Sequence, residues 1–317
     1  MKDGTRLDIL ENNLSQFGRV LDILLTDMTL KTDRHKLKNT NIIWATDSYV
    51  GHGKGYHPKD QITREAITGE HSLLIQPRAV KSKEEQLLRT KDKAEVFTPL
   101  KIVSEMNSLL GRNLGLPDGH DWRDYVKAEW LEITCGEAPF IVSRYNPTSS
   151  TSAIIKLENR VGFLDRKLQL ISRKCNVRDD WLEWTEIAYK SCYGYEWQGD
   201  NLLLARENLL YTFIDYYTDK FHEDPTIDLL EHFAEIMSWN IFQMDGVKYV
   251  IPMSCKHSEE VVSEAPALLK LLGEKDTVRK RICEGCRTGN PKLHNGKKVK
   301  VMDWETNKPT YFCKLLQ

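Results

Sequence analysis

The chain has 317 residues, room for about two domains or for one large domain with appendages, and enough to bury a sizeable core without disulfide staples. With 40% hydrophobic and 29% charged residues it is neither disordered, collagenous nor of low complexity. Its 45 Lys and Arg against 46 Asp and Glu give no global attraction for a polyanion, so any nucleic-acid contact has to come from local basic patches.

Residues 1–30 carry acids throughout and build no secretory apolar core, and no stretch approaches the ~18 consecutive apolar residues of a membrane span; a cytoplasmic protein without membrane contact is expected. Apolar positions at helical spacing (Leu7, Ile9, Leu10, Leu14, Phe17, Val20, Leu21, Leu24 and Leu25) predict one or two amphipathic helices there. Residues 31–70 dissolve into polar sequence with scattered Gly and Pro, a region that a compact domain uses as a binding loop or lid. HSLLIQPRAV (71–80) reads as a strand and 81–94 as a charged helix or linker. The character of the sequence then changes, which places a boundary near residue 90 and an N-terminal helical and irregular region over 1–90.

Over residues 91–253, helical stretches alternate with short apolar runs: WLEIT (130–134), VGFLD (161–165), YGYEW (193–197) and KYVIP (248–252), each a candidate buried strand. That alternation predicts an α/β domain with a mostly parallel sheet. Residues 254–317 form a basic, Cys-containing C-terminal tail.

Three segments of the α/β region are candidates for ligand chemistry. In LEITCGEAPF (131–140) a strand ends in Glu132, a Cys135-Gly136 turn follows, and a helical segment starts near Pro139. This is a geometry that holds a nucleoside-bearing ligand at the carboxyl end of a strand, with the acid taking a positive charge and free amides at Gly136 facing the ligand. The competing reading is a tight turn with a buried Cys. In YGYEWQGDNLLLARENLL (193–210), Glu196 closes a strand where a carboxylate accepts both hydroxyls of a ribose; alternatively it pairs with Arg206 or caps the helix. In WNIFQMDGVKYVI (239–251), Asp245 either accepts from the exocyclic amine of a purine or simply forms the turn before Gly246.

In this order the residues resemble the adenine-specific DNA methyltransferases of restriction-modification systems. Phe97-Thr98-Pro99 is similar to that family's opening motif, and Leu131, Glu132, Cys135, Gly136 and Phe140 match its Leu-Glu-Pro-x-Cys-Gly-x-Gly-x-Phe cofactor turn. Glu196 falls at the family's ribose-binding acid and Asp245 at the acid that contacts adenine. More broadly, residues 95–317 resemble chains described as modification subunits, "subunit M". The resemblance implies a Rossmann-like methyltransferase domain, S-adenosylmethionine held by Thr98, Glu132, Cys135, Gly136, Glu196 and Asp245, and DNA as the substrate.

The sequence departs from the family in three places. Ala138 and Pro139 replace the second cofactor Gly and its neighbour. The interval from Glu132 to Glu196 is long, and within it Asp165 rivals Glu196 for the ribose. The family's Asn-Pro-Pro-Tyr clamp, which orients the adenine amine, does not occur; Asn146-Pro147 and Asn290-Pro291 supply its first two letters only. The expectation is therefore a transferase, or half of one whose catalytic motif or nuclease comes from a partner subunit. The alternative is a non-catalytic DNA-binding or assembly subunit on the same scaffold.

In the tail, Cys283-x-x-Cys286 offers two thiolates to a tetrahedral zinc, with Cys255, His257 or His294 completing the set; free reduced thiols are the alternative. Around them Arg279, Lys280, Arg281, Arg287, Lys292, Lys297, Lys298 and Lys300 form the chain's concentrated basic patch, suited to DNA phosphates or else merely solvated.

Overall fold

The computed structural model describes residues 18–30, 40–93, 95–113, 121–149, 153–263 and 277–315. The expected helical positions Leu7 to Phe17 lie outside them. Before the sheet come α1 (Val20–Leu25), a single turn of helix at Arg64–Ile67, α2 (Lys83–Lys93), α3 (Leu100–Asn113) and α4 (Trp122–Lys127). The boundary expected near residue 90 falls inside α2.

Three strands, β1 (Trp130–Glu132), β2 (Cys192–Glu196) and β3 (Ile241–Gln243), pair in parallel in that order, with Trp130 opposite Cys192 and Gly194 opposite Ile241. Parallel neighbours need long crossovers. The first contains α5 (Phe163–Lys174) and α6 (Arg178–Lys190), the second α7 (Gly199–Phe221) and α8 (Ile227–Asn240). Side chains alternate across the strands, so Cys192 and Ile241 enter the main core while Tyr195 and Phe242 enter a second cluster on the other face.

The main core is organised around α7, whose Leu202, Leu203, Leu204, Leu209, Leu210 and Phe213 are all buried together with the polar Asp200, Asn201, Arg206, Glu207 and Asn208, so the helix is enclosed on most sides. The N-terminal segment joins this core through Val20, Leu24, Ile42, Trp44, Ile62 and Ile75. Arg206 fastens the pieces together, its guanidinium donating to the carbonyls of Leu24, Thr26, Ser238 and Ile241. Those carbonyls end α1 and α8, where the helices' own ladders leave acceptors unpaired. Arg206 therefore does not pair with Glu196.

The tail consists of the antiparallel pair β4 (Ser258–Ser263) and β5 (Thr277–Arg281), a short helix α9 (Glu284–Thr288), and the hairpin β6 (Lys300–Asp303) and β7 (Lys308–Tyr311). It covers the second face of the sheet through Val299, Val301 and Phe312, packed on Tyr195 and Phe242. Among the described residues no helix is long and apolar enough to cross a membrane.

Three expected strands are corrected. HSLLIQPRAV is a 3-10 turn ending at His71 followed by irregular turns; Ile75 is buried but Leu73 is exposed, and among the described residues none pairs with this segment as a strand. VGFLD opens α5, where Phe163, Leu164, Leu168 and Ile171 share one buried helical face. KYVIP is a turn in which the amides of Lys248 and Tyr249 donate to the Asp245 carbonyl, and Val250 makes only isolated bridges to Asp245 and Lys298. The third strand lies upstream, at Ile241–Gln243.

Candidate functional site

A cavity of about 830 Å³ opens at the carboxyl ends of β1 and β2 and is closed by residues 95–98 and by Met106, Asn107 and Leu110 of α3. It is within the size range of small-molecule and cofactor sites. Thr98, Glu132, Cys135, Gly136 and Glu196 all line it. Asp245 does not: its Oδ1 accepts from the amides of Val247 and Lys248, and its Oδ2 pairs with Lys248 Nζ at 3.0 Å. Asp165 is also elsewhere, buried in the first turn of α5 and accepting from the Ser143 amide at 2.7 Å.

The turn after β1 differs from expectation in one respect. Its amides are not free, because Gly136 N donates to Glu196 Oε2 at 2.9 Å and Cys135 N to the Tyr195 carbonyl at 2.9 Å. Glu196 also accepts from Gln198 N at 3.1 Å, while Glu132 accepts from the amides of Phe140 and Ile141 at 3.3 and 3.1 Å. The two acids thus hold the loop that a ligand would meet. Gly136 sits at φ +54°, where a side chain is strained, and a Cβ there would stand 3.4 Å from the Phe97 ring. Ala138 is also left-handed, at φ +61°, but its methyl is buried in the main core rather than set in the cavity lining. The Ala138 methyl therefore does not obstruct the cavity.

Burial pushes the Glu132 carboxyl well above the usual range; the Phe140 and Ile141 amides oppose this and the neighbouring Glu196 charge adds to it. Burial likewise raises Glu196 against the amides of Gln198, Gly136 and Trp197. A cation between them would favour the ionised form of both.

Sequence reasoning missed the cavity's other polar wall. Glu95 binds Arg89 at 2.6 Å and accepts from Gln198 Nε2 and Asn201 Nδ2 at 3.2 and 3.1 Å. Arg89 in turn pairs with Asp200 at 2.6 Å, and the Tyr49 hydroxyl donates to the same carboxylate. The available signal was the polar cluster Gln198, Asp200 and Asn201 just before the apolar run Leu202 to Ala205. The charged side chains lining the cavity are Glu95, Glu129, Glu132 and Glu196; among the described residues no Lys, Arg or His joins them. Aromatic walls come from Phe97, Trp130, Phe140 and Trp197. Four lining residues carry a buried polar atom without a hydrogen-bond partner: Asn107 Oδ1, Trp130 Nε1, Gln198 Oε1 and Asn201 Oδ1.

Neither Asn-Pro pair lines the cavity. Asn146 Oδ1 accepts from Thr148 N and Oγ1, and Asn290 Oδ1 from Lys292 N, so both side chains close local turns.

A second site lies in the tail. The donor atoms of Cys255, Cys283, Cys286 and His294 all fall within 4.8 Å of one another. His294 Nδ1 stands 3.5 Å from Cys255 Sγ, 3.7 Å from Cys283 Sγ and 3.6 Å from Cys286 Sγ. His257, the other candidate, uses its Nδ1 to accept from Cys283 N at 3.2 Å. Desolvation would raise the Cys283 thiol, but the amides of Asn295 and Cys286 and the His294 ring outweigh it and draw the thiol down to about 6. Burial and the two neighbouring sulfurs push Cys255 up to about 12. Arg287, Lys292, Lys297 and Lys298 are exposed nearby, whereas Lys300 is half-buried; the side chains of Arg279 and Lys280 lie outside the described residues.

No family model, curated protein or solved structure matches the chain.

Proposed function

We propose that the cavity binds S-adenosylmethionine and that the chain is the cofactor-binding part of a DNA adenine methyltransferase of a restriction-modification system. The observation that carries this reading is the charge of the lining. Glu129, Glu132 and Glu196, aromatic rings and no basic side chain among the described lining residues suit a cationic sulfonium and ammonium and disfavour a nucleotide phosphate, while Glu95 is already balanced by Arg89. The buried unpartnered atoms of Gln198 and Asn201 offer acceptors, and Trp130 a donor, to a polar nucleoside.

When bound, the cofactor supplies an activated methyl group. The chain's own part is to bind and orient: Glu132 and Glu196 supply negative charge, Thr98 a hydroxyl, and the Gly136 turn a close backbone approach. Asp245, tied up in its own turn, is left out of the proposed cavity contacts. The acceptor amine is proposed to be positioned by a partner chain or by a further site of this one, since both Asn-Pro sequences spend their side chains on turns. The exposed basic residues of the tail are proposed to meet DNA phosphates, and the Cys3His cluster is proposed to take zinc.

The missing clamp also favours a second reading, a non-catalytic DNA-binding or assembly subunit on the same scaffold. Equilibrium dialysis with labelled S-adenosylmethionine tests the binding claim: saturable uptake near one per chain is expected, weakened at least about tenfold in Glu196→Gln through loss of charge. Absence of uptake at millimolar ligand would refute it. Methyl transfer to DNA only when a partner chain is added supports the split enzyme; tight cofactor binding without transfer under any pairing supports the second reading.

A further inference from the structure

We infer that Cys255, Cys283, Cys286 and His294 form a closed tetrahedral zinc site whose task is structural: it staples the α9 segment and the segment before β6 to the segment that follows β3. This rests on the assignment of zinc to the cluster, and it goes further in saying what the ion does.

The spacing is that of ligands around an ion rather than of hydrogen-bonded side chains. An imidazole Nδ1 offers one proton or one lone pair, yet His294 Nδ1 is nearly equidistant from three sulfurs, at 3.5, 3.7 and 3.6 Å. With Zn–S at about 2.3 Å and Zn–N at about 2.0–2.1 Å, a tetrahedral angle sets sulfur and nitrogen about 3.6 Å apart. Coordination by three thiolates and one neutral imidazole releases to solvent the protons of whichever thiols still hold them and leaves the centre with one negative charge. Lys248, whose ammonium pairs with Asp245 at 3.0 Å, also interacts electrostatically with Cys286 and Cys255.

Two glycines make the assembly sterically feasible. A Cβ on Gly285 would stand 2.5 Å from His294 N, and one on Gly296 would stand 2.7 Å from Ser254 Oγ and 3.2 Å from Cys255 Sγ. Asn295 N donates to Cys283 Sγ at 3.3 Å, an outer-shell bond that orients the thiolate. With four protein donors no coordination position remains for substrate, which is the mark of a structural site.

The site joins loops that have little apolar surface of their own. Cys255 follows β3, Cys283 is the residue before α9 and Cys286 lies within it, and His294 precedes β6. The same segments meet through Ile251 N to the Lys297 carbonyl at 2.8 Å, Lys297 N to Ser254 Oγ at 3.0 Å and Val299 N to the Tyr249 carbonyl at 3.2 Å. The staple therefore lands on the turn built by Asp245 and presents the basic residues Lys256, Arg287, Lys297 and Lys298 on a fixed surface.

The test uses the full chain. Metal analysis of protein expressed in zinc-supplemented medium is expected to give one zinc per chain, and cobalt replacement to give the thiolate charge-transfer and visible bands of a tetrahedral site. No zinc, three thiols that titrate freely without chelator, or a Cys283–Cys286 disulfide in the peptide map would overturn the zinc assignment. The staple is tested separately: stripping zinc from the intact protein is expected to open residues 282–298 to protease while the body keeps its circular dichroism. His294→Cys should retain metal and protection, and His294→Ala should lose both. A tail that stays protected after zinc has demonstrably left would refute the staple even where zinc had been bound.

Discussion

The cavity and the tail site solve the same problem, holding polar groups in fixed places away from water, by different means. The cavity is set by a large core: Glu132 and Glu196 are aimed by strands anchored through Trp130 and Cys192 in the main cluster and Tyr195 in the second. The tail has a small apolar cluster where it meets Tyr195 and Phe242, and its cysteine-bearing loops lie beyond it, drawn together by four donor atoms. Where a segment lacks apolar area to bury, a metal can replace the core. The body should therefore respond to core substitutions, and the tail loops to metal.

The largest effect expected on the body is Phe213→Ala, which empties a fully buried site stacked on Phe233 and should cost about 3–5 kcal/mol in urea unfolding. Its zinc content should be unchanged; loss of metal would mean that the two regions are not separable. Arg89→Met strikes the cavity wall itself by leaving Glu95 and Asp200 without their cation, a break of a buried pair that costs about 3–5 kcal/mol. Ligand binding should weaken as well, because Gln198 and Asn201 are anchored on Glu95.

A pH effect comes next. Burial pushes Asp165 from 3.8 to about 6, with Arg160 and the Ser143 amide opposing. Since the folded value is the higher one, the stability this group contributes is fully present below its unfolded value and lost as pH rises through about 6. Asp165→Asn should therefore gain stability relative to the parent on going from about pH 4 to pH 8, read from thermal melts at each pH. A constant difference would contradict the burial argument. Smallest is Thr226→Ala, which removes the side chain that caps α8 through the Leu229 amide and should cost about 1 kcal/mol.

Much of the helical framework was legible from periodicity, and β1 and β2 from apolar runs that end in acids. The failures have local causes. VGFLD has five residues, too few to separate a strand from the opening turn of a helix, and the continuation to Leu168 and Ile171 decided it. The apolar residues of KYVIP are buried by the tail's Lys298 and Val299, partners that a window around residue 250 does not contain. Asp245 is held in its turn by the adjacent Val247 and Lys248, and an acid before Gly246 reads alike in the sequence whether it forms a turn or meets a ligand. Glu95 was invisible because its partners Gln198 and Asn201 lie about a hundred residues away, whereas the Cys cluster could be read because thiols at Cys-x-x-Cys spacing with two further donors have few other uses.

The central claim is that the cavity selects a positively charged adenosyl ligand. Calorimetric titration of the zinc-loaded chain with S-adenosylmethionine and, separately, with ATP tests it most directly. A single binding event for the sulfonium and none for the triphosphate is the predicted result; ATP binding as tightly, or no heat from either at millimolar concentration, would contradict it.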